Sequence, residues 1–298
     1  MRSIKIIVFV CVILVTSYII FTTYSSNPTI QEQQEEQNDG VTVIQEDQNN
    51  LEVAEELNLP NDSPCDGGLY VEEFSICGKE IGRSIEDRPI YVFEVGDGDI
   101  DILFVGGLHT GLEKNTYDLA KNVLEYYNDN LNLVPENISL HIIPVVNPDG
   151  LANDTHNNAN GVDLNRNWAT EDWQTDTYHP TYGTKKGAGG ESPMSEPETK
   201  ALYDFITTLQ PEMTFVWHSR ASTVEDNDIG DADELAGIYA QAADYEHIEE
   251  WTYYVVTGDF LPAMQEVGIA AAEVELASRE QEFDRNIKGV EAILEYFE

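Results

Sequence analysis

The sequence predicts an α/β protein built on a mostly parallel or mixed β-sheet covered by helices on both faces. Three observations predict it. Short apolar β-type runs alternate with helical patterns from about Gly78 to Glu298. That stretch of about 220 residues suits a single domain. Hydrophobic residues make up 41% of the chain and aromatics 10%, enough to bury a sizeable core.

In chain order the β-type runs are PIYVFEVG (89–96), DILFVGG (101–107), SLHIIPVV (139–146), MTFVWH (213–218), TYYVV (252–256) and AAAEVEL (270–276). Helical periodicity fills the intervals: Glu113 to Tyr127, Glu196 to Leu209, Ala232 to Tyr245, Leu261 to Val267, and Asp284 to Phe297. Ser195 ahead of EPET is expected to cap the second of these helices, with Pro197 near its first position. In open sheets of this kind ligands gather beyond the carboxyl ends of the strands.

The segment ahead of this domain differs in character. Arg2 and Lys5 precede an apolar run from Ile6 to Phe21, as in an export signal or signal anchor spanning residues 1–26. No small-x-small cleavage site follows, which favours an uncleaved membrane anchor through residues 4–21 and a secreted or cell-surface location. Cys11 lies inside the run without the small residue that precedes a lipid-modified cysteine. From Asn27 to Leu57 the chain is rich in Gln, Glu and Asn and cannot offset its chain entropy by burial. Residues 27–77 are therefore expected to be an acidic disordered stalk and a transition zone. Cys65 and Cys77 either close a short loop in an oxidising compartment or remain free thiols.

The formal charge is −41, from 56 acidic and 15 basic residues. Such a field repels nucleic acid and anionic lipid surfaces, which excludes both as partners. Salt softens the self-repulsion, so a saline habitat is expected. The sequence carries no signal for an oligomeric state.

The chemistry concentrates at strand ends. In FVGGLHTGLEKNT (104–116) an apolar strand ends at Gly106 and Gly107, His109 follows, and Glu113 comes four residues later. A separation of four brings two side chains to one helical face, within reach of one ion. FVWHSR (215–220) ends a second apolar strand in His218. Two histidines and a glutamate leave a fourth tetrahedral position open, as in a catalytic zinc site. DLNRNW offers Asp163, Asn165 and Arg166 together. An arginine fork beside an amide suits a carboxylate, and Asp163 suits the free N–H of a metal-bound histidine; an ordinary polar loop is the other reading. Glu275 lies in an apolar strand, where an unpaired charge is costly, and Glu273 shares its face. A buried salt bridge or an activated water would each give Glu275 a partner.

These residues resemble a known family. GGLHTGLEKNT, NPDG, GVDLNRNW, SPMSEPET, WHS and VEL occur in the order seen in carboxypeptidase A-like zinc peptidases. GRSIEDRPIYVFEVGDG (82–98) also resembles the segment that opens their catalytic domain, so the likeness runs from about Gly78 to Glu298. It implies a three-layer α/β/α fold with a mixed central sheet of about eight strands, and a catalytic domain over 78–298. It implies one Zn2+ per chain on His109, Glu113 and His218, with Asp163 orienting the first histidine. Asn165 and Arg166 would hold the free C-terminal carboxylate of a peptide substrate. Glu275 would be general base and acid, and Tyr254 the mobile phenol, with Tyr253 close behind it.

The chain departs from the family in three respects. Thr110, Gly111 and Leu112 separate the first two ligands, where two residues are usual. His156 precedes the NANG turn where the family usually has an arginine that stabilises the oxyanion. The acidic stalk is too short and polar to fold as a pro-domain. Asp259 falls near the family's specificity pocket and either receives a cationic side chain or caps a helix. Two other functions stay open on the same scaffold: a peptidoglycan peptide amidase or endopeptidase, and a catalytically weak peptide-binding module.

Overall fold

A nine-stranded mixed sheet runs through the computed structural model, which describes residue 65 and residues 68–179 and 183–298. The described residues all lie in the unit Leu57–Glu298. The apolar run at residues 6–21 and the acidic stretch after it lie outside them. Among the described residues no helix is long and apolar enough to cross a membrane.

The strands are β1 (Leu69–Val71), β2 (Ile76–Arg83), β3 (Pro89–Val95), β4 (Ile100–Val105), β5 (Ile138–Ile143), β6 (Thr177–His179), β7 (Gly183–Lys185), β8 (Met213–Ser219), β9 (Thr223–Asp226), β10 (Glu246–Ile248) and β11 (Ala271–Leu276). The helices are α1 (Lys114–Asp129), α2 (Pro148–Asn153), α3 (Pro197–Leu209), α4 (Ala232–Ala243), α5 (Phe260–Val267) and α6 (Phe283–Phe297). The large sheet runs β1-β2-β3-β5-β4-β8-β11-β9-β10, with β6 and β7 forming a separate hairpin. Its centre is parallel: β5, β4, β8 and β11 pair side by side in one direction. The flanks turn antiparallel at β3 and at β9.

Alternation along the central strands builds the two outer layers. Ile102, Phe104, Phe215, Trp217 and Val274 face a core shared with α1, α4 and α6. Leu103, Val105, Val216 and Ala271 face the opposite core, shared with α3 and α5. On the first side Phe104 stacks between Phe215 (5.0 Å) and Trp217 (5.2 Å). Trp217 Nε1 donates to the Tyr239 hydroxyl (2.9 Å), which donates to Asn286 Oδ1 (2.8 Å) and so locks α4 to α6. Gly289 permits that approach: a Cβ there would stand 2.7 Å from the Tyr239 ring.

The layered α/β/α architecture and all five expected helices are present, and the sheet has nine strands where about eight were expected. TYYVV (252–256) is not a strand but a loop. Tyr253 and Val255 point outward at 60% and 75% exposure, and Trp251 packs edge-on against Tyr253 and Tyr254. β-favouring residues there find an aromatic cluster and no sheet partner. The N-cap of α3 is Glu196, not Ser195, and Pro197 takes the first helical position as expected. Ser195 Oγ instead donates to Glu196 Oε1 (2.5 Å). The two cysteines are joined, Cys65 to Cys77, across a separation of 12 residues. The bond ties the chain ahead of β1 to β2, at the edge of the sheet.

Candidate metal centre and active site

The site lies beyond the carboxyl ends of β4, β8 and β11, on the side of the sheet that carries α3 and α5. After β4 the backbone passes tightly against α1. A Cβ at Gly106 would meet Ala120 Cβ and the Thr116 carbonyl, both at 2.6 Å. That passage delivers His109. Gly111 then adopts a left-handed conformation (φ +58°), and a Cβ on it would press within 2.9 Å of Thr155. The longer spacing HTGLE therefore lets this turn lean on the 155–156 backbone. Thr110 Oγ1 secures it by donating to the Thr155 carbonyl (2.6 Å).

His109, Glu113 and His218 converge. His109 Nδ1 lies 3.2 Å from His218 Nδ1 and 3.5 Å from Glu113 Oε2. His218 Nδ1 is 3.9 Å from the same oxygen. Tetrahedral zinc with bonds of about 2.0–2.1 Å has ligand atoms roughly 3.3 Å apart. The three donors therefore suit one ion with small adjustments. A looser grouping replaces His218 with His156, its donor atoms lying within 4.8 Å of one another. The tighter trio is the better cage, because His156 turns toward the outer oxygen of Glu113, Oε1, at 3.5 Å.

The supports are mostly carboxylates and backbone amides. His109 Nε2 donates to Asp163 Oδ1 (2.8 Å), which fixes the ring and leaves Nδ1 as the nitrogen that faces Glu113 and His218. The Ser219 amide donates to Glu113 Oε2 (3.1 Å). The His156 ring stacks on His109 at 3.9 Å and sets its Nε2 3.5 Å from Asp163 Oδ2. Burial opposes charge on His109, but Asp163 and Glu113 outweigh it and raise its pKa to about 10. Burial likewise works against the Glu113 carboxylate, yet His109, His156 and His218 draw its pKa down to about 2. Such a density of opposed charge is what an ion-binding pocket requires.

Glu275 pairs in register with His218, so its side chain reaches the same end of the sheet. Burial, with Glu113 and Glu273 nearby, pushes its carboxyl well above the usual range. Its Oε2 is buried and has no hydrogen-bond partner among the described residues. Glu273, on the same face, accepts from Asn165 Nδ2 (2.8 Å). Burial raises its pKa, but His218, Asn165 and Arg166 prevail and hold it below the usual range.

Asn165 and Arg166 are adjacent and point into the same region. Arg166 Nη1 donates to the Asn165 carbonyl (2.5 Å) and faces Asp259 Oδ1 at 3.4 Å. Asp259 occupies the N-cap of α5 but makes no capping hydrogen bond; its carboxylate turns to Arg166. Burial and Glu273 push it well above the usual range despite that arginine. Tyr254 stands where it senses Arg166 and Glu275, and burial raises its phenol to about 12. Its ring lies 5.2 Å from that of His179 on β6.

All eight residues singled out from the sequence thus gather in one region. Sequence reasoning missed Glu225, which stands directly across from Glu273 on β9 and accepts from the Trp251 amide (2.9 Å). It also missed Asn115, whose Oδ1 receives the Ser219 hydroxyl (3.1 Å). Neither has a motif; only strand register and the return of α1 to β8 bring them in.

Comparison with known proteins gives a family and a fold. A family model described as zinc carboxypeptidase matches residues 76–228. Carboxypeptidase SOL1 of Arabidopsis thaliana is 29% identical over 153 residues, 47% of this chain and 28% of that protein. Murein peptide amidase A of Escherichia coli is 36% identical over 94 residues, 29% of this chain and 38% of that one. The chain thus matches well under half the length of either relative. Among solved structures, murein-tripeptide amidase MpaA from Escherichia coli O157 superposes with a TM-score of 0.58 at 23% identity, covering 74% of this chain and 90% of that one. Thrombin-activatable fibrinolysis inhibitor gives a TM-score of 0.62 at 20% identity, over 74% of this chain and 68% of that one. Identities this low speak for the fold alone.

Proposed function

Since the chain belongs to the zinc carboxypeptidase family, we propose that it is a zinc-dependent peptidase that removes the last residue of peptides with a free C-terminal carboxylate. One observation carries the reading: His109 Nδ1, His218 Nδ1 and Glu113 Oε2 face one another at 3.2–3.9 Å, beside a glutamate oxygen that has no partner. His109, Glu113 and His218 hold the ion. Bound there, zinc supplies a Lewis acid that polarises the scissile carbonyl and acidifies water.

The chain's own residues do the rest. Glu275 takes a proton from the attacking water and returns it to the leaving amine. Burial raises its pKa, so it holds a proton more readily than an exposed glutamate would. Arg166 and the Asn165 amide grip the terminal carboxylate and so restrict cleavage to the last bond. Tyr254 closes over the bound residue. His156 lies on the open flank of the centre and offers an N–H to the carbonyl oxygen.

Glu275→Gln tests the base. The expected outcome is full zinc content with kcat lowered about 10²–10⁴-fold. Near-normal turnover with zinc in place would sink the assignment.

A second reading is amide cleavage in wall peptides. The match to murein peptide amidase A favours it, and so does Asp259 beside Arg166, a pair suited to the amine and carboxylate of a diaminopimelate side chain. Rates on muropeptides and on ordinary peptides ending in Lys or Leu separate the two. Preference for Leu would remove the role of Asp259.

A further inference from the structure

Glu273 is a largely buried carboxylate that the reaction above does not use. Its place in the sheet is unfavourable. The antiparallel register of β9 and β11 sets it directly across from Glu225, and like charges opposed on one face destabilise a sheet. A β-branched apolar residue would serve packing better. A costly residue at such a place points to a task there.

Its contacts indicate the task. Glu273 Oε1 accepts from Asn165 Nδ2 at 2.8 Å. The same oxygen lies 3.3 Å from His218 Nε2, within ion-pair reach though not yet aligned as a hydrogen bond. No other group among the described residues bonds that buried nitrogen. Asn165 Oδ1 accepts from the Phe260 amide (3.0 Å), which fixes which way the amide points. One N–H of Asn165 is thus directed at Glu273, and the other is left for a ligand. On its far side the Asn165 backbone N–H donates to Asp163 Oδ1 (3.0 Å), the oxygen that also holds His109. His109, Asp163, Asn165, Glu273 and His218 form a continuous chain of polar contacts around the centre.

We infer that Glu273 is a positioning residue that orients the His218 imidazole and the Asn165 amide together. It does for His218 what Asp163 does for His109. Through Asn165 it also sets the distance between the ion and the grip on the substrate's carboxylate. This inference rests on the proposed zinc peptidase reading.

The test begins with the zinc content and peptidase activity of the wild-type chain. Absence of both would sink the functional reading itself. With both present, Glu273→Gln keeps the shape and the acceptor oxygen for Asn165 but removes the negative charge that faces His218. Zinc affinity, read by chelator competition on folded protein, should fall about 10-fold or more while KM changes little. Glu273→Leu removes both contacts, so zinc affinity should fall and KM for peptides with a free carboxylate should rise several-fold. Should Leu fail to fold, Glu273→Asp withdraws the carboxylate by one methylene and reads the Asn165 link through the same rise in KM. Wild-type zinc affinity in the Gln variant overturns the role toward His218. Wild-type KM in the Leu variant, or in the Asp variant where Leu does not fold, overturns the role toward Asn165.

Discussion

In the proposed mechanism His156 takes the place of a fixed positive charge beside the developing oxyanion and supplies only a hydrogen bond. Replacing it with alanine is expected to lower kcat about 10²-fold with zinc content unchanged. His156→Arg should meet or exceed wild-type turnover. Loss of zinc from the alanine variant would instead make His156 a ligand. Glu225 has a different kind of consequence. Burial, helped by Glu273 and Asp226 and opposed by the Trp251 amide, raises its pKa to about 7. The folded value lies above the unfolded one, so the protonated form is favoured by folding. Stability from this group is complete below about pH 4.5 and is lost as pH rises through about 7. Glu225→Gln removes the loss, and its melting temperature should exceed that of wild type by about 2–4 °C at pH 8 but match it near pH 4. The convergence of His109, Glu113 and His218 was legible in the sequence because His109 follows an apolar strand, His218 stands at the end of another and Glu113 follows His109 by four. The partnership of Glu225 with Glu273 was not, because it depends on the register of a four-residue strand that no periodicity reveals.

Elements were legible in proportion to their length and amphipathicity. The long helices α1, α3, α4 and α6 carry continuous apolar stripes, and the central strands are unbroken apolar runs. The short outer strands β1, β9 and β10 span three or four residues and owe their form to pairing, which a single sequence does not display. The TYYVV loop shows the reverse case, strong β preference with no partner to satisfy it. Packing between elements is tested best at Gly289. Tyr239 is fully buried and hydrogen-bonded on both sides, so its ring has no room to retreat from a methyl group on α6. Gly289→Ala should therefore destabilise the protein by about 1–3 kcal/mol in chemical denaturation, although alanine is the better helix former. An unchanged midpoint would mean that α4 and α6 slide apart easily.

For the molecule as a whole, 56 acidic residues against 15 basic ones make electrostatic self-repulsion a standing cost. Raising sodium chloride from about 0.01 M to about 1 M shortens the screening length from roughly 30 Å to 3 Å, so the melting temperature should climb along that series. A flat response would show that the acidic groups are too well paired or too dispersed to repel. The fold class could be inferred from alternating runs, whereas the ninth strand and the hairpin of β6 and β7 emerge only from tertiary pairing. The convergence of His109 and His218 carries one more implication. These residues are 109 positions apart, one in the loop that follows β4 and the other on β8, neighbouring strands at the middle of the sheet. An ion shared between them is a removable cross-link, closing a long loop much as a disulfide would but answerable to the surrounding metal concentration. Dialysis against a chelator should then lower the melting temperature and loosen the ends of β4 and β8 in hydrogen exchange, and added zinc should restore both. In zinc-poor surroundings such a chain would lose durability along with turnover, so scarcity of the ion would shorten the enzyme's lifetime as well as silence it.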